Sequence, residues 1–307
     1  MKSNFIHLKE DNKKIIMKYL VVFGVLLVFG MYKNGVFLYQ HGFISVWEIF
    51  KPLLFSLISF FMIGVKQLVF NKKIELDYDY DDAFILSFFV PARMPLSLYA
   101  VFLLLGLVLS NFLEKVKSFN VIAFLKLVLV LGLVLSDRYN YQNLAEASGE
   151  FVFNTLDYFC GMGVGGVSSS CIIIGILIYF VFSIDKFYKK RIPIISYGVY
   201  LALLLPFLLR GEKLGLEFVC SSSVIMAFIL VAPNTLSSPY TKEGQIIYGI
   251  CSGILSVIFS YFWLNDGVFV AIFITSLGTK IFDKIGYICG KIGRKARNWQ
   301  KIKEIKG

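Results

Sequence analysis

The chain has 307 residues, of which 57% are hydrophobic, 17% aromatic and only 17% charged, with a mean hydropathy of +0.73. That balance excludes an ordinary soluble domain and identifies an integral membrane protein. The net charge is +11, but the basic residues sit at the chain ends and in short loops between apolar runs, where they set orientation across a membrane and do not point to nucleic acid.

A bilayer core of about 30 Å requires roughly 20 apolar residues per helix, and runs of about that size recur along the chain. Segment 1–18 carries Lys2, Lys9, Lys13, Lys14 and Lys18 and is expected in the cytoplasm. The run from Ile15 to Met31 lacks a following small-residue cleavage site, so it is expected to stay attached as the first span, about Tyr19 to Gly35. A second span, about Ser45 to Phe70, places Glu48, Lys51 and Pro52 in its first turns, where charges snorkel to the interface. Lys72 to Asp82 reads as a soluble loop. Ala83 to Val90 is too short to cross, Pro91-Ala92-Arg93-Met94-Pro95 breaks it, and Leu96 to Leu109 completes the pair. Val121 to Leu135 closes a first membrane repeat over 19–136.

The loop 137–157, with Asp137, Glu146, Glu150 and Asp157 against Arg138 alone, is expected outside the cytoplasm. A second repeat over 158–286 opens with the glycine-serine stretch Gly161 to Ser170. Spans follow at about Cys171 to Ile184, Ile192 to Leu209, Phe218 to Ala232, Gly244 to Phe262 and Val268 to Phe282. The run Asp185 to Arg191 is the strongest internal sign of a cytoplasmic loop. A basic tail over 287–307 completes the chain.

Ala83-Phe84-Ile85-Leu86 recurs as Ala227-Phe228-Ile229-Leu230, and Pro95 and Pro239 follow at the same interval. The expected fold is therefore all-α: a polytopic membrane protein of about ten transmembrane segments, arranged as two inverted five-segment repeats with broken helices. Both termini are expected in the cytoplasm and the protein in the cell (inner) membrane. Such repeats place a site between the halves, at the broken helices.

Chemistry-bearing residues are sparse. The five cysteines have no ligand spacing and read as small apolar packing residues. His7 and His41 are isolated, so neither haem nor zinc is expected and no metal site is predicted. Gly161-Met162-Gly163-Val164-Gly165-Gly166 formally matches G-x-G-x-x-G, but no strand precedes it and it leads into a membrane helix, so it is not a dinucleotide fingerprint. Gly163 and Gly166 with Ser168, Ser169 and Ser170 have two readings: close helix packing, or amides and hydroxyls that hold a flavin phosphate or the polar edge of its ring. Arg93 between two prolines suggests a bound anion or a carboxylate partner, or a side chain that snorkels. Asn120, Asn234, Thr235 and Thr241 are candidates to line a cavity, against the plainer reading of Thr235 and Thr241 as part of a polar turn.

The second half resembles the RnfD component of the Rnf electron-transport complex and the NqrB component of the sodium-pumping NADH:quinone oxidoreductase. The resemblance rests on Arg191-Ile192-Pro193 opening a span, the stretch Thr241-Lys242-Glu243-Gly244-Gln245-Ile246-Ile247-Tyr248-Gly249, the turn Asp266-Gly267-Val268 and Asp283. The first half is similar through the short helix ending at Pro91 and the pair Phe119-Asn120. It implies a ten-helix, two-repeat fold and a subunit that passes electrons through flavins in an ion-pumping complex. The family carries Ser-Gly-Ala-Thr in its middle loop, whose threonine bonds FMN. Here Ala147-Ser148-Gly149-Glu150-Phe151 puts a carboxylate at that place, where it repels a phosphate, and this argues against covalent FMN. Other family positions differ too: Gly166-Val167-Ser168-Ser169 lacks an acid, and Asn234, Ser276 and Lys280 replace the usual Asp, Asn and Pro.

The leading expectation is a membrane subunit of a flavin-dependent, Rnf-like complex, coupled to Na+ or H+ movement. It would hold FMN or riboflavin non-covalently, with lipid and other membrane and peripheral redox subunits as partners. The alternative is a small-molecule transporter or channel that uses the cavity between the repeats.

Overall fold

The protein is described from a computed structural model covering residues 9–74, 78–114, 119–141, 144–149, 151, 155–185, 188–210, 222–263 and 265–291. The expectations placed on 1–8, Asp77, Lys115, Lys117, Glu150, Phe218 and 292–307 lie outside the described residues. No strand occurs among the described residues. Helix α1 (Lys9–Met31) continues through a π-helical turn, Tyr32–Val36, into Phe37–Gln40. A 3₁₀ turn, Val46–Phe50, leads into α2 (Lys51–Asn71). Then come α3 (Tyr78–Phe88), α4 (Leu96–Glu114) and α5 (Val121–Leu135). The second half holds α6 (Ile172–Ser183), α7 (Arg191–Leu209), α8 (Ser222–Met226) running into a π-helical turn Ala227–Val231, α9 (Lys242–Phe262), α10 (Gly267–Leu277) and α11 (279–291).

Among the described residues, four helical stretches are long and apolar enough to cross a bilayer: Tyr19–Gln40, Val46–Phe70, Leu96–Leu113 and Lys242–Phe262. Their outward faces carry bare hydrophobic side chains, among them Val28, Leu57, Phe61, Leu105 and Ile258, a surface that water would penalise and lipid does not. The protein is a polytopic, all-helical membrane protein. At 1.5 Å per residue, α5 is about 22 Å long and α10 about 16 Å, so neither reaches across the hydrocarbon alone. Short helices are tolerated at that depth where protein covers their ends, and the ends of α3 and α8 show how this is done.

The loop expected from Lys72 to Asp82 is shorter than expected, because α3 begins at Tyr78 and its first turns bury Tyr80, Asp81 and Asp82. The aspartates alternate with tyrosines, and a period of two hid their helical placement. Between α3, α1 and α6 lies an aromatic core of Phe23, Phe84, Phe88 and Phe182, with ring centroids 5.0–6.5 Å apart. Phe89 meets Phe269 edge-on at 4.9 Å and ties α3 to α10. In the second half, Gly249 and Gly253 let α9 lie directly on α7. A Cβ at Gly253 would come within 2.6 Å of the Ser196 carbonyl oxygen, and Ser196 and Ser252 share a hydrogen bond of 2.8 Å across the same seam, as expected for small-residue packing in lipid.

Candidate functional site

A helix that stops inside the bundle leaves carbonyls without partners and a negative dipole end. At the end of α3 those groups are met from two directions. The amides of Val167, Ser168 and Ser169 donate to the carbonyls of Val90 and Phe88 at 2.8, 3.1 and 3.2 Å. The ammonium of Lys126, on α5, donates to the Phe89 carbonyl at 2.7 Å. The glycine-serine stretch is thus laid across the end of α3 and is clamped from behind: Lys33 donates to the Gly163 carbonyl at 2.5 Å, and the Asn34 amide to the Val167 carbonyl at 2.7 Å. Gly166 is required by the close approach, since a Cβ there would lie 2.5 Å from the Phe88 carbonyl oxygen.

Gly163, Gly166, Ser168, Ser169 and Ser170 are therefore on one loop between α1, α3 and α6, and the amides of Ser168 and Ser169 are already engaged by α3. Their hydroxyls are not. Ser168, Ser169 and Ser170 are at most 1% exposed, and their Oγ atoms hydrogen-bond to nothing among the described residues. Each such hydroxyl costs about 1–3 kcal/mol when left unpaired.

Beside this loop a cavity of about 220 Å³ opens, bordered by Asn34, Glu48, Lys51, Arg93, Leu144 and Val167. The Nε of Arg93 is buried there and donates to nothing among the described residues. Glu48 is already used: its carboxylate accepts from the Ser45 amide and hydroxyl at 3.0 and 3.1 Å in a capping box. The cavity thus presents two cations, Lys51 and Arg93, against one acid turned to helix capping. Leu144, from the middle loop, and Val167, from the glycine-serine loop, border the same space.

Lys126 belongs to a cluster that spacing did not reveal. It pairs with Asp266 at 3.1 Å, both side chains being at most 2% exposed, and it donates to the Tyr141 hydroxyl. The Tyr141 hydroxyl in turn donates to Asp266 at 2.9 Å. Burial first, and the Asp266 charge second, push the phenols of Tyr139 and Tyr141 above the ordinary tyrosine range, which keeps both neutral. Asp266 stands at the N-terminus of α10, where the helix dipole favours its negative charge. One signal was available: a lysine in the middle of the otherwise apolar run Val121 to Leu135 demands a partner.

The remaining candidates gather at the other interrupted helix. Asn120 caps α5 by accepting from the Ala123 amide at 2.9 Å, and its amide group donates to the Val231 carbonyl, at the end of the π-helical turn, at 2.8 Å. Its own backbone amide donates to the Ser276 hydroxyl at 2.9 Å. Asn234 donates to Asp82 at 3.2 Å across the halves. Asn234 and Thr235 border a cavity of only about 50 Å³ together with Asp81, Asp82 and Tyr188. Thr241 is turned to Asp283, which accepts from the Tyr240 amide and from the Thr241 amide and hydroxyl at 2.8–2.9 Å. The structure therefore divides the candidates into two groups, Arg93 with the glycine-serine loop and Asn120, Asn234, Thr235 and Thr241 at the second break.

Lys189, also missed, lies within the second group. It donates to the Thr235 carbonyl at 3.0 Å and to the Ser238 carbonyl and hydroxyl at 2.6 and 2.8 Å. Burial pulls its ammonium down to about 8, and the Asp283 carboxylate opposes that fall. Among the described residues no group of His, Cys, Asp and Glu is arranged to hold a metal ion.

A family model for NQR2, RnfD and RnfE proteins matches residues 1–287. The chain belongs to the NQR2, RnfD, RnfE family. Within it, one similar relative is the D-type subunit of the ion-translocating oxidoreductase complex of Methanosarcina acetivorans, 34% identical over 103 residues. That alignment covers 33% of this NQR2/RnfD/RnfE-family chain and 33% of the relative, so the chain spans about a third of the length of the relative it matches.

Proposed function

We propose that this protein is a membrane subunit of an ion-translocating oxidoreductase complex and that it holds a flavin non-covalently, with its phosphate in the cavity beside Arg93. Family membership supports the first part. The observation that carries the second is the buried Nε of Arg93, unpartnered among the described residues, in a cavity that Lys51 also borders. A planar guanidinium with a second cation beside it suits a phosphate. Of the two flavins expected, the cation pair favours FMN. At about 220 Å³ the space suits a phosphate and part of a ribityl chain, while pockets for whole drug-sized ligands run to about 300–1,000 Å³, so the ring would lie beyond it, toward the middle loop.

Bound flavin would supply electron transfer, and the chain's own residues would bind and orient it. Electrons would come from partner subunits, with Na+ or H+ movement coupled to their passage. The two interrupted helices, α3 and α8 with its π-helical turn, each come third among the labelled helices of their half, which supports reading the halves as repeats.

The test is the visible absorption of the purified protein, together with its partners, before and after denaturation. Flavin released on denaturation is expected, and R93Q should weaken its retention about tenfold or more, the scale of one charge-assisted hydrogen bond. Flavin that remains on the denatured chain would show a covalent bond. Absence of flavin from the folded, partnered protein would move the reading to a transporter.

A further inference from the structure

The turn from Asn234 to Thr241 encloses a cation, and that cation is part of the chain. The ammonium of Lys189 has three protons, and three oxygens meet it: the Thr235 carbonyl at 3.0 Å, the Ser238 carbonyl at 2.6 Å and the Ser238 hydroxyl at 2.8 Å. The Tyr240 ring covers it with its centroid at 4.3 Å, a favourable face for a positive charge. Lys189 is only 8% exposed.

The Ser238 end of this turn is held by contacts that do not involve Lys189. The Ser238 amide and hydroxyl both donate to the Asn234 carbonyl, at 3.2 and 2.6 Å. Asp283 accepts from the Tyr240 and Thr241 amides, and the Thr279 hydroxyl donates to the Ser237 carbonyl at 2.6 Å. Carbonyls fixed to converge repel one another unless something positive lies between them, which is how carbonyl rings bind potassium in channel filters.

We propose that the turn 234–241 is a binding site for a monovalent cation of ammonium or potassium size, and that Lys189 is its tethered occupant. A free ion can enter only where the ammonium leaves. The inference does not depend on flavin binding or on electron transfer.

The test uses the full chain in detergent, wild type and K189M, melted in potassium, ammonium, sodium or choline chloride at constant ionic strength. Wild type should melt at the same temperature in all four. K189M should be least stable in choline and should gain ~2–4 °C or more, saturably, as potassium or ammonium is added, with sodium weaker. Adding S238A to K189M removes one oxygen and should raise the half-saturating potassium concentration several-fold. K189M melting identically in all four salts would overturn the proposal, leaving Lys189 a plain turn brace. If K189M does not fold, K189A is prepared with methylammonium in place of the lost side chain. Recovery of folded K189A by methylammonium but not choline supports the site, and failure in every cation overturns it.

Discussion

Asp266 and Lys126 each lie in surroundings that only the other makes tolerable. The pair is almost wholly buried, and taking two charges out of water costs several kcal/mol per ion before their attraction repays it. Removing one partner strands the other, so K126M and D266N are each expected to destabilise the folded protein by about 3–5 kcal/mol, whereas the double variant should lose much less than the sum. Thermal melts of the four proteins in one detergent check this, and additive losses would mean that the two side chains act independently. The pairing is hard to find in sequence, although the lysine alone signals that a partner is needed. Lys126 falls inside an apolar run, and Asp266 stands only as the first residue of a turn. Neither has a neighbour in sequence to announce the pairing. Arg93 is legible because two prolines frame it, whereas Lys189 sits within the basic run 185–191 and reads as one orientation signal among several.

At the scale of elements, the informative features are the ends of helices. Apolar runs locate the four long helices Tyr19–Gln40, Val46–Phe70, Leu96–Leu113 and Lys242–Phe262, since burial in lipid asks only for about 20 apolar residues and leaves that demand in the composition. They do not say what satisfies the carbonyls where α3 stops, because the answer is a loop from the other half of the chain. The glycine-serine stretch reads in sequence as a phosphate cradle or a packing motif; its observed contacts show amides bound to α3. A Cβ at Gly166 would press on the Phe88 carbonyl at 2.5 Å, while one at Gly24 meets nothing within 4 Å. G166A should therefore lower the melting temperature by several degrees and make the loop more accessible to proteolysis, and G24A should change neither. Equal behaviour of the two variants would show that the loop is not seated on α3.

Across the whole molecule, the halves are joined by specific polar contacts as well as by apolar packing. Asn120 reaches Val231, Asn234 reaches Asp82, Lys126 reaches Asp266, and the stretch before α6 closes the end of α3. A chain divided in the middle loop after Gly149, where the surface is exposed, should therefore reassemble when both pieces are made in one membrane, and the pieces should co-purify. Recovery of one piece without the other would show these contacts to be too weak to specify the pairing. The duplication of Ala-Phe-Ile-Leu hints at two related halves, but nothing in the sequence indicates that each would complete the other's interrupted helix.

The Lys126 contact also bears on how the protein is made. A ribosome delivers α5 to the membrane well before Asp266 exists, so in that interval the bilayer holds a helix with a positive charge that lacks its carboxylate. Until α10 arrives, that helix has reason to stay shallow, with its ammonium in the headgroups, and to settle only once Asp266 is in place. The depth at which α5 settles is then tied to a carboxylate from the other half of the chain.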